Sequence, residues 1–224
     1  MTAVLLLSNI WADGFDCVLV SFSKDNAHRI ISNCTLAPRT ARIADYWLSI
    51  CDADSYPARA SIVPSQIKDL LPGLMFFRVV LGRSVTVRMA GTNLYALLKQ
   101  ELTGKDWLAV TCREDREARL SVFSDVARGS IALGRWAFPQ DARRVIRCEK
   151  LLLPLRPALG DTEIPVLGFI DWTPTLAEDP DICLKTAPPP EIIGNPLLVA
   201  RRHAQTIPAD TPEKAGGQRA VDLK

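Results

Sequence analysis

The stretch that decides the fold is Leu74-Met75-Phe76-Phe77-Arg78-Val79-Val80-Leu81-Gly82-Arg83-Ser84-Val85-Thr86-Val87-Arg88-Met89-Ala90-Gly91-Thr92. Gly82-Arg83 separates two apolar runs and predicts a tight hairpin turn. After it, residues 84–90 alternate, with Val85, Val87 and Met89 on one face and Ser84, Thr86 and Arg88 on the other. That period of two is the mark of a strand. Before it, residues 74–81 are apolar on both faces apart from Arg78. A strand of that composition is covered on both sides, so another element must lie on its outer face.

Working outward, Thr92 caps a predicted helix over residues 92–99. Upstream, residues 65–71 read as a short helix, with Pro64 suited to its first turn and Pro72-Gly73 ending it. Residues 40–51 place Ile43, Tyr46, Trp47 and Ile50 at helical spacing and predict an amphipathic helix. Downstream, Thr111 and Glu114 have the spacing of a capping box. The helix they open runs to about Arg128, with Leu120, Phe123 and Ala127 inward and Gly129 as its stop. Three strands follow at 131–138, 145–155 and 164–172. This order predicts an α+β fold, with five strands in one antiparallel sheet, helices on one face and an additional N-terminal helix.

Three zones divide the chain. Residues 1–38 read as an irregular N-terminal extension, β-like only around 17–22. Residues 39–174 form the domain. Residues 175–224, with Pro188-Pro189-Pro190 and a polar end, read as a Pro-rich, mostly disordered tail with a short helix at about 197–203. The net charge is only +2, and the helix at 113–128 mixes acids with bases, so no nucleic-acid partner is expected. No apolar run approaches the ~20 residues of a membrane span. The short run Val4-Leu5-Leu6-Leu7 lacks a basic flank and is soon followed by Asp13 and Asp16, unlike a signal peptide. A cytoplasmic protein is therefore expected. The six cysteines form no C-x-x-C pair, which argues for reduced structural thiols and against zinc.

Seven short blocks then carry a resemblance. Tyr46-Trp47, Pro57-Ala58-Arg59, Leu70-Leu71-Pro72, Arg88 to Thr92 (R-x-A-G-T), Leu102-Thr103-Gly104, Leu151 to Leu155 and Leu167-Gly168 stand in one order. In that order the region 40–174 resembles a PAS-like family of alphaproteobacteria, a PAS-type domain of unknown function. The resemblance implies a PAS-like fold and a regulatory role in signal transduction, with no catalytic residues.

Candidate sites follow from both readings. Phe77, Arg88, Met89, Trp107 and Trp136 are candidates to line a ligand cavity, Arg88 because a guanidinium suits an anionic group. Tyr46, Trp47, Phe76, Arg78 and Val80 are candidates for an interface, with the Tyr46-Trp47 helix packing on the outer face in cis or across a homodimer. Gly91 and Gly104 read as backbone turn positions. No cofactor is indicated. His28 and His203 both lie outside 39–174, so a haem ligand or a general-base histidine is missing there. A protein partner is expected, with a homodimer and a small-molecule ligand left open. Two other readings stand beside the sensor: a small-molecule enzyme on a cone-like α+β sheet using cavity carboxylates, and a ligand-free structural adaptor with a filled core.

Overall fold

The computed structural model describes residues 17–98, 100–110, 113, 115–139, 144–176, 191–194 and 197–202. In chain order the elements are β1 (Cys17–Phe22), α1 (Lys24–Ser32), α2 (Pro38–Ser49), β2 (Leu74–Val80), β3 (Ser84–Ala90), α3 (Thr92–Leu98), α4 (Arg116–Ala127), β4 (Ile131–Pro139), β5 (Arg144–Pro154), β6 (Ile164–Leu176), β7 (Glu191–Gly194) and β8 (Leu197–Arg202). The five expected strands form an antiparallel sheet, and β7 joins it beyond β4, giving the order β3-β2-β6-β5-β4-β7.

Both faces of the sheet are covered, as the doubly apolar β2 requires. Alternate residues of β2 enter two separate cores. Leu74 and Phe76 join Ile43, Trp47, Leu151, Leu153 and Phe169 on one side. Met75, Phe77 and Val79 join Phe123, Val126, Leu152 and Val166 on the other. The first layer lies under α1 and α2, the second under α3, α4 and the segment 102–110. Each large apolar side chain that is fully buried contributes about 1.5–3 kcal/mol before entropic losses.

Helix α2 is fixed to the sheet at both ends. Pro38 occupies its first turn without side-chain capping of the preceding residue. The Ala37 backbone N–H instead donates to Glu149 Oε1 at 2.8 Å. Near the other end the Trp47 indole N–H donates to the Pro154 carbonyl at 3.0 Å.

Several expectations are corrected. The lead is not irregular throughout. Residues 24–32 form a helix that is capped by Ser23 and buries Ala27 and Ile31. That helix carries its apolar side at only two fully buried positions, too sparse a pattern to read from the sequence. The short helix expected at 197–203 is instead the strand β8, paired antiparallel with β1, and His203 lies outside the described residues. The extended partner Cys17–Phe22 decides between helix and strand for that apolar run. The short helix expected at 65–71 resolves into two 3-10 turns, Pro64–Gln66 and Leu71–Gly73. Thr111 and Glu114 lie outside the described residues. Gly129, with φ +112°, ends α4 as expected.

Candidate functional site

The hairpin registers settle which candidates can act together. Phe76 pairs with Met89 and Phe77 with Val87, so Arg88 is an extra residue in β3. A bulge of this kind reverses the facing of the residues beyond it. Met89 therefore packs against the α2 side with Phe76, while Phe77 faces the α4 side. The expectation that Val85, Val87 and Met89 share a face fails for this reason: Phe77 belongs to the core on the α4 side and Met89 to the one on the α2 side, although both border the open groove beside β2 and β3.

On the α4 side, the segment after α3 wraps the outer edge of β3. Gly104 N–H donates to the Val87 carbonyl at 2.7 Å, Val87 N–H to Lys105 at 2.9 Å, and Trp107 N–H to Val85 at 2.7 Å. Gly104 makes this turn with φ +81°, a conformation natural to glycine. The wrap brings Trp107 against Phe77, their ring centroids 5.6 Å apart and nearly perpendicular, and Phe123 of α4 lies 4.7 Å from Phe77 on the same terms. Into these three rings projects Lys150 of β5. Its Nζ lies 4.2 Å from the Trp107 centroid, 5.0 Å from Phe123 and 5.3 Å from Phe77.

Lys150 is buried, and among the described residues no group hydrogen-bonds to its Nζ. Two effects compete there. Ring faces favour an ammonium by ~0.5–2 kcal/mol each. Full desolvation of an unpaired charge costs several kcal/mol, and it is joined by the charge of nearby Arg119. Burial therefore wins and pushes the pKa of the amine well below its usual value, which favours the neutral form. The place between sheet and helices expected to hold a ligand is occupied by the chain's own lysine. Sequence reasoning missed it. The available signal was that Lys150 shares a strand face with Leu152 in a strand buried on both sides.

On the α2 side an open groove of about 950 Å³ lies beside β2 and β3. Its floor includes Phe76, Met89 and Leu71, and its walls are the 58–68 segment and the turn between β5 and β6. Tyr46 sets one wall: its hydroxyl accepts the Val63 N–H at 2.7 Å. The other wall is tied by the Arg156 N–H to the Pro57 carbonyl at 2.9 Å. Gly91 closes the end, where a Cβ would meet the Pro72 and Leu71 carbonyl oxygens at 2.3 and 2.4 Å. Close backbone approach, not a left-handed φ, is the reason for this glycine. The rim is cationic: Arg59, Lys68, Arg88 and Arg156 all line it. The Arg59 guanidinium lies 4.8 Å from the Phe76 centroid, and Arg78 pairs with Glu163 at 2.8 Å.

The remaining candidates fall as follows. Trp47 is buried beneath α2, and Phe76 belongs to the same core while its ring also borders the open groove. Tyr46 and Val80 are half-buried; Arg78 and Arg88 are exposed. Trp136 lies in β4 opposite Cys148, and its side chain lies outside the described residues. Glu149 and Asp171 are the nearest approach to a carboxylate pair, directly opposite each other across β5 and β6. Each is taken by an arginine, Glu149 by Arg135 at 2.6 Å and Asp171 by Arg39 at 3.1 Å. Among the described residues no group of histidine, cysteine, aspartate and glutamate could hold a metal ion, and no helix is long and apolar enough to cross a membrane.

The sequence profile of the PAS domain family matches residues 36–171, more than half of the chain. The chain belongs to the PAS domain family. PAS domains are typically sensory or regulatory rather than catalytic. In this PAS domain the matched region spans α2 through most of β6, and so includes the Lys150 site and both walls of the outer groove. No curated protein matches the sequence significantly.

Proposed function

We propose that this PAS domain is a cytoplasmic regulatory module that passes its signal by protein–protein contact through the outer groove. The observation that carries the reading is the contrast between its two faces. The layer under α4 is filled by Lys150 and three aromatic rings, whereas the groove beside β2 and β3 is open, apolar on its floor and cationic on its rim. A partner seated there would touch the 58–68 wall, which Tyr46 ties to α2. It can bias the domain to the extent that it binds two arrangements of that wall differently. A non-catalytic role is supported by the occupation of Glu149 and Asp171 by arginines. A second reading, a small anionic ligand in the same groove, is favoured by a volume within the roughly 300–1,000 Å³ range of ligand pockets.

The test is site-specific photocrosslinking in cells. A photoreactive residue at Arg88, in the groove, is compared with one at Glu117, an exposed position of α4. A discrete protein adduct from position 88 and none from 117 is expected. Equal adducts from both positions, or none from 88, would refute contact through the groove.

A further inference from the structure

Resting on that reading, we infer that the occupant of the groove is an acidic amphipathic helix of a partner protein, with apolar anchors on one side and flanking carboxylates. Three observations carry this choice. First, the floor offers no strand edge. β2 is hydrogen-bonded on both sides, to β3 and to β6, the outer edge of β3 is taken at Val85 and Val87 by Gly104, Lys105 and Trp107, and the bulge at Arg88 breaks the regular spacing of what is left of that edge. An extended peptide cannot add to the sheet here, so recognition must proceed through side chains, the mode by which helices lie in grooves.

Second, the charges of the rim are unbalanced. Lys68 and Arg88 are exposed and, among the described residues, neither makes an ion pair, and Arg59 engages only the Phe76 ring. Arg156 reaches Ser55 Oγ at 3.2 Å, a neutral partner. Of the acidic groove residues, Glu163 is already paired with Arg78, which leaves Asp161 against four cations. Arginines of this kind hold carboxylates by paired hydrogen bonds. Charge complementarity of this sense steers encounter and excludes basic partners.

Third, the surroundings of the groove are apolar in a way that suits a macromolecule. Leu159, at the tip of the turn that forms one wall, is fully exposed, and Val63 of the opposite wall is 41% exposed. Phe76, Met89 and Leu71 lie on the floor between them. A small anion would leave Leu159 in water; a helix carrying apolar residues one turn apart would cover it.

The test is a selection from a library of helical peptides displayed against the full chain, run in parallel against Lys68→Glu/Arg88→Glu. Both residues are exposed, so the variant is expected to melt within a few degrees of the wild type, which is checked first. The wild type should enrich peptides with Leu, Phe, Met or Trp at i, i+3 or i+4 flanked by Asp or Glu. The selected peptide should bind the variant at least about ten-fold more weakly by fluorescence anisotropy. Leu159→Asp should weaken it as well. Enrichment of basic or neutral peptides that depends on the groove would overturn the acidic helix and leave protein contact standing. Enrichment indifferent to the variant would overturn both. Failure to enrich any sequence, with a small anion retained by the wild type and lost in the variant by native mass spectrometry, would overturn the helix in favour of a ligand.

Discussion

The Lys150 amine lies 4.2 Å from the centre of the Trp107 ring, and among the described residues no oxygen accepts a hydrogen bond from it. Burial, and after it the nearby charge of Arg119, push its pKa well below the usual value in the folded chain. In the unfolded chain it would ionise with its ordinary value near 10.5. Between the depressed folded value and 10.5, the unfolded state binds the extra proton, so stability rises with pH.

Lys150→Met should therefore stabilise the protein at pH 7 by on the order of 1–4 kcal/mol, the range seen when buried ionic groups give way to well-packed apolar residues of similar volume. The advantage of the variant should shrink as pH rises toward 10, by up to about 1.4 kcal/mol per unit. Urea unfolding of both proteins across that range measures it. Cys51 and Cys148 have thiols pushed up to about 12 by burial, which lowers stability above their ordinary range. They are common to both proteins and cancel in the difference. A constant difference across the range would mean that Lys150 is charged in the fold.

The two residues of the Tyr46-Trp47 block should separate in effect. Trp47→Phe removes the donor to the buried Pro154 carbonyl and leaves a gap in the core beneath α2. A loss of about 2–3 kcal/mol by chemical denaturation is expected. Tyr46→Phe removes one acceptor at the exposed Val63 N–H and should cost about 1 kcal/mol. Its signature is local: faster amide exchange at Val63, on the wall of the groove, with protection in β5 unchanged.

Two glycines test two different physical reasons. Gly91→Ala drives a Cβ into the carbonyl oxygens of Leu71 and Pro72. It should destabilise by about 2–3 kcal/mol, as forced overpacking does. Gly82 has φ +64° with nothing near its missing Cβ, so Gly82→Ala should cost only ~1 kcal/mol through backbone strain. Thermal unfolding of the two variants side by side checks the order, and an equal loss would refute the close-contact reading of Gly91.

Thiol chemistry should follow burial. Cys34 is partly exposed, whereas Cys51 and Cys148 are buried with thiol pKa values pushed up to about 12. Since the thiolate is the reactive form, iodoacetamide at pH 8 should alkylate Cys34 well before the other two in the folded protein. Peptide mass spectrometry reads the order, and urea should abolish it.

The sequence by itself determined the hairpin, the succession of helices and strands and the antiparallel sheet, because these rest on local signals. Gly82 marks the turn, residues 74–80 demand cover on both faces, and Ile43 and Trp47 repeat at helical spacing. It also led to an amphipathic Tyr46-Trp47 helix, which packs across β5 and β6 and shares one core with Phe76. Tertiary structure alone decided the rest. The bulge at Arg88 depends on which residues of β2 lie opposite, so the alternation of β3 gave no warning that Met89 turns away from Phe77. The strand at Leu197–Arg202 exists through its pairing with Cys17–Phe22, a partner far away in sequence. Lys150 reads as an ordinary surface residue until Trp107 and Phe123 arrive from two separate elements to bury it. Period and turn chemistry act over a few residues and are written in the chain. Register, burial and the acidity of a side chain are set by what the fold brings from elsewhere.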